Sequence, residues 1–144
     1  MQLTEKQLEL LSAAQRHVRD ARALLDSSSD QSWHLAAFGP ECARKATLPR
    51  RHLDRVLGHL GEDGDDLALE FALAIAPEAA RYRLRRWASE FPLLAAWRID
   101  CRYEKTRTRA RSTAEPLVAE AEALVHRISQ ALWLDGRIPG DFAW

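Results

Sequence analysis

Residues 4–25, TEKQLELLSAAQRHVRDARALL, decide the fold class. Leu8, Leu11, Ala14, Val18, Ala21 and Leu25 recur at steps of three and four, which places them on one face of a helix. Thr4 and Gln7 have the spacing of a capping box, in which each side chain satisfies an amide left open at a helix start. Ser27-Ser28-Ser29 ends this first helix.

The same period continues downstream. A second helix is expected over residues 33–48, capped by Asp30 or Ser32, kinked at Pro40 and closed by Pro49. A short helix around residues 51–60 stops at Gly61, and the acidic turn Glu62-Asp63-Gly64-Asp65-Asp66 leads into a helix over residues 67–76. Pro77 suits the first turn of a further helix, expected to run through Arg81 and Trp87 to about Ser89, and Phe91-Pro92 breaks the pattern. Ser112-x-x-Glu115 followed by Pro116 marks the start of a last long helix that stops near Gly136. No stretch alternates apolar and polar residues as a half-buried strand does. The expectation is an all-α, up-and-down bundle of about four to six helices. It forms a single domain over residues 1–144, with an irregular tail at about 136–144.

The 144 residues are 47% hydrophobic and carry 21 Lys and Arg against 21 Asp and Glu, enough for one real core and no net charge. A surface built wholly to hold nucleic acid or an anionic membrane is excluded, so any polyanion site must come from local segregation of charge. Residues 62–80 hold six acids and no Lys or Arg, whereas residues 81–111 hold ten cations against three acids. Nine of those ten are arginines, whose planar guanidinium suits bidentate phosphate contact; the alternative is that the two stretches simply pair or are solvated. No apolar run approaches the length of a membrane span, and Met1–Glu5 has neither the basic nor the apolar region of a secretory signal, so a cytoplasmic protein is expected. Cys42 and Cys101 lie far apart without a Cys-x-x-Cys pair or a zinc spacing, which reads as two free buried thiols and no metal or cofactor. Trp33, Trp87, Trp97 and Trp133 fall in amphipathic runs and are expected to serve the core, leaving Trp144 for docking.

Two clusters could carry chemistry. In the second helix His34, Phe38, Glu41 or Cys42, and Lys45 share a face, which either forms a buried hydrogen-bonded set or lines a cleft. In Trp97-Arg98-Ile99-Asp100-Cys101-Arg102-Tyr103-Glu104, a helical conformation puts Arg98 and Arg102 one turn apart. Such a pair repels unless an anion or a carboxylate lies between its members, so it is either a phosphate site or a neutralised structural pair.

Taken together, these segments resemble the HEPN domain family. The similarity is carried by His17-x-x-Asp20-Ala21-x-x-Leu24-Leu25, by His34-Leu35-Ala36-x-Phe38-x-x-Glu41-Cys42-Ala43-x-Lys45-Ala46, by His52-Leu53-Asp54 with Leu57, and by Trp97-x-x-Asp100-x-Arg102-Tyr103. It extends over roughly residues 10–135, and the second and fourth segments are its most specific parts. The resemblance implies a helical bundle that commonly homodimerises. It also implies RNA cleavage in toxin–antitoxin and antiviral systems, or RNA or nucleotide binding beside a nucleotidyltransferase-type or antitoxin partner. Nuclease members carry an Arg followed, after four to six residues, by a His. None of His17, His34, His52, His59 and His126 has an Arg at that distance upstream, and the nearest formal match is Arg98 with Tyr103. A phenol with a pKa near 10 does not replace an imidazole as a general base near neutrality.

Three functions follow. The first is a HEPN-like RNA- or nucleotide-binding module without the nuclease motif, binding through Arg98, Arg102, Lys105 and Arg107, with Glu41 and Lys45 as further binding candidates. The second is a metal-independent ribonuclease toxin with a degenerate motif, using Arg98, Tyr103 and His34. The third is a purely structural interaction module. Beyond the resemblance, Trp97 and Phe91 beside a helix break suggest surplus apolar surface for a dimer.

Overall fold

The computed structural model describes residues 1–56 and 65–143; the expected Gly61 stop, most of the acidic turn, Leu57, His59 and Trp144 lie outside the described residues. The described elements are all helical: α1 (Glu5–Leu24), α2 (Ser29–Ala36), α3 (Phe38–Ala46), α4 (Arg50–Leu53), α5 (Asp65–Ile75), α6 (Pro77–Ala80), α7 (Trp87–Glu90), α8 (Pro92–Ala96), a 3-10 turn (Ile99–Tyr103) and α9 (Arg111–Leu134). None of these helices is long and apolar enough to cross a membrane.

The first helix forms as its pattern requires. Leu11, Ala14, Val18, Ala21 and the following Leu25 are buried, and the Thr4–Gln7 capping box is complete. α1 lies antiparallel to α9, since the Gln15 amide donates to the Ser129 hydroxyl at one level and Arg22 to the Glu122 carboxylate at another. α2 and α3 pack across both, and the apolar face of α9, from Leu117 to Leu132, completes the core.

Several expectations are corrected. The helix expected over residues 33–48 is two helices meeting at Ala37, and Pro40 sits in the first turn of α3, where a missing amide leaves no bond unmade. Gly39 beside it lets α3 approach α1: a Cβ there would lie 2.5 Å from Val18 Cγ1 and 3.0 Å from the Ala14 carbonyl oxygen. Neither Asp30 nor Ser32 caps α2; the Ser32 hydroxyl donates to the Ala21 carbonyl at 2.6 Å, and Asp30 reaches a distant loop. The helix from Pro77 stops at Ala80, because Arg81 and Tyr82 turn to Asp135 while Arg83 turns to Glu70.

The last long helix starts at Arg111 rather than after Ser112; Ala110 stands at its N-cap and offers no side-chain acceptor, and the Glu115 carboxylate, inside the helix, binds Arg111 and Arg22. Trp97 and Phe91 are buried in the core and supply no surface for a dimer, whereas Trp133 is half exposed. The exposed apolar residues include Leu67, Phe71 and Ile75, which share one face of α5.

Candidate nucleic-acid interface

The site begins with Trp97. Residues 97 and 98 are extended rather than helical, and the buried indole donates its N–H to the Trp33 carbonyl at 3.1 Å, which pins the start of the 3-10 turn against α2. His34 stacks parallel to Trp97, with centroids 6.5 Å apart, and meets Phe38 edge-on at 5.2 Å. Phe38 in turn contacts Trp97 at 5.7 Å and His17 of α1 at 5.7 Å. Three helices and the 97–103 segment therefore converge on one aromatic cluster.

Both imidazoles are held below their ordinary range. Burial acts first on His17, with Arg16 adding to it against Asp20 and Glu41; burial acts first on His34, with Arg102 adding to it. At neutral pH each ring is uncharged, the form that accepts a proton. The Nε2 atom of His34 is shielded from solvent and has no hydrogen-bond partner among the described residues. A general base must come within hydrogen-bond reach of its proton, and in this conformation no substrate atom reaches that nitrogen.

Outside the cluster the chain exposes its cations. Arg98, Arg102, Lys105 and Arg107 are all exposed, and Tyr103 keeps 75% of its surface in water with the Arg102 guanidinium 4.8 Å above its ring. Arg98 stands in extended backbone just before the 3-10 turn, so Arg98 and Arg102 do not sit on successive turns of an α-helix. Arg109 and Arg111 instead point into the protein surface. Arg109 covers the Trp33 ring at 4.7 Å and pairs with Glu104, and Arg111 bonds Asp26 and Glu115.

Glu41 and Lys45 are part of the α3 interior. The Lys45 ammonium donates to the Glu41 carboxylate at 2.7 Å, both side chains being nearly inaccessible. Lys45 also lines a cavity of about 520 Å³ with Lys6, Leu10, Arg50, Leu53, Asp54 and Val56, apart from the exposed arginines. The basic and acidic stretches are partly joined, since Arg83 holds Glu70, a carboxylate that Arg44 of α3 shares. Among the described residues no three His, Cys, Asp or Glu side chains are grouped to hold a metal ion.

No family model, curated protein or solved structure matches this chain. Its chemistry therefore has to be read from its own side chains. Sequence reasoning missed the role of His17, whose only signal was its place in the family-like pattern, and the role of Asp30, which looked like a helix cap.

Proposed function

We propose that this chain is a HEPN-like domain that binds single-stranded RNA through the surface formed by Arg98, Arg102, Tyr103, Lys105 and Arg107, and that it lacks nuclease activity. The observation that carries this reading is Tyr103, exposed beneath the Arg102 guanidinium and flanked in sequence by further exposed cations. An exposed aromatic face stacks a base for about 1–3 kcal/mol, and arginines beside it hold the phosphates on either side. Homodimerisation, a role in toxin–antitoxin or antiviral defence, and a nucleotidyltransferase-type or antitoxin partner belong to the same proposal and rest on the family resemblance. The exposed Leu67, Phe71 and Ile75 face supports an association surface.

The test is fluorescence anisotropy with a labelled single-stranded RNA. Binding should weaken steeply with salt, and Tyr103→Ala should reduce affinity about tenfold. Arg98→Ala with Arg102→Ala should weaken binding more than Arg83→Ala with Arg85→Ala. The opposite order would move the interface elsewhere.

A second reading, a metal-independent ribonuclease, rests on the uncharged imidazole of His34 near Arg102 and requires a conformation that uncovers its shielded Nε2. Cleavage of total RNA in EDTA that His34→Ala abolishes would establish it in place of the first.

A further inference from the structure

Residues 105–111, Lys-Thr-Arg-Thr-Arg-Ala-Arg, hold four cations and no large apolar side chain, so neither burial nor charge favours a closed loop here. The loop is nonetheless folded around one carboxylate. Asp30 Oδ2 accepts the Arg107 amide at 2.6 Å and Oδ1 accepts the Arg109 amide at 2.8 Å, a fork that spans the turn from below. The Thr108 amide also lies close enough to favour the ionised carboxylate, and it donates to the Lys105 carbonyl at 3.2 Å, closing a four-residue turn. Arg107, the third residue of that turn, has φ of 70°, a conformation that L residues avoid unless something holds them in it. The neighbouring Ser29 hydroxyl donates to the Arg109 carbonyl at 2.5 Å, so two successive residues of α2 fix the loop. In this arrangement successive amides converge on an anion, as in a backbone nest, and the anion comes from the chain itself. Lys105 and Arg107 are left pointing to solvent.

We propose that Asp30 is a positioning residue: it holds the Lys105–Arg109 loop in the conformation that presents Lys105 and Arg107, and so sets the affinity of the RNA surface without touching RNA. The functional half of this inference rests on the RNA-binding reading. Its sign separates it from simple electrostatics. Deleting an acid near a polyanion site should strengthen binding if charge alone matters, whereas deleting the loop's template should weaken it.

The experiment uses the full chain, its Asp30→Ala and Asp30→Asn variants, amide hydrogen exchange, and anisotropy with a labelled single-stranded RNA. In Asp30→Ala the amides of Arg107 and Arg109 should exchange about tenfold faster while α1 and α9 keep their protection, and RNA affinity should fall about tenfold. Asp30→Asn, which keeps the side chain's size and one acceptor oxygen, should lie between, and it stands in if the alanine variant does not fold. Sodium acetate, compared with chloride at equal ionic strength, should restore part of the amide protection of Asp30→Ala by refilling the carboxylate position. Unchanged exchange in both variants would overturn the inference, as would faster exchange with equal or tighter RNA binding. If the wild-type chain binds no RNA, the RNA reading itself falls, and the functional half of this inference falls with it.

Discussion

The Lys45 ammonium and the Glu41 carboxylate meet at 2.7 Å one turn apart on α3, with 7% and 4% of their residue surfaces exposed. Two charges this deeply buried stabilise one another by pairing. Glu41→Ala should therefore destabilise the fold by about 3–5 kcal/mol, because it removes the carboxylate to which the buried Lys45 ammonium donates. Replacing both together, as Glu41→Leu with Lys45→Met, should recover most of that loss. Urea unfolding of the three proteins checks the difference.

Gly39→Ala should destabilise by about 1–3 kcal/mol. The added methyl would meet Val18 Cγ1 at 2.5 Å and the Ala14 carbonyl at 3.0 Å, and neither a β-branched side chain nor a helix backbone yields easily. A melting temperature equal to wild type would show that α3 does not approach α1 this closely.

Acid should weaken the fold through the two imidazoles. Burial holds His17 and His34 below their ordinary values, with Arg16 and Arg102 adding to it. A group that the folded state prefers uncharged contributes its full stability above the unfolded value, about pH 6.5, and loses it as the pH falls through the lower folded value. Melting temperature should be level above neutrality and decline from about pH 6.5 downward. His34→Phe should flatten that decline, as thermal scans across pH would show.

Both thiols should be sluggish in the folded chain. Burial, followed by Glu41 for Cys42 and Glu104 for Cys101, pushes each thiol up to about 11, where almost no thiolate exists at pH 8. Alkylation by iodoacetamide should be on the order of a hundredfold slower than in urea-unfolded protein, with both sites behaving alike. Mass spectrometry of each cysteine-bearing peptide gives the two rates.

The helical class and several of its boundaries were legible in the sequence because they depend on residues within one or two turns of each other. The Thr4–Gln7 cap, the period of α1 and α9, and the breaks at Pro77 and Pro92 are signals of this local kind. Of the candidate site, the run of exposed cations and Tyr103 could be named from the sequence, and so could the Glu41–Lys45 pair one turn apart. Spacing did not reveal how those groups are held. Ser112 and Glu115 have the spacing of a capping box, yet α9 begins earlier, at Arg111, and Arg22 and Arg111 take the Glu115 carboxylate. Asp30 reads as a cap for the second helix, yet it lies inside α2, which begins at Ser29, and bonds amides nearly eighty residues away. In each case the spacing allowed a local capping role and a partner elsewhere in the fold. Only the packing of the helices, which brings the distant donor closer and in better alignment, decided between them.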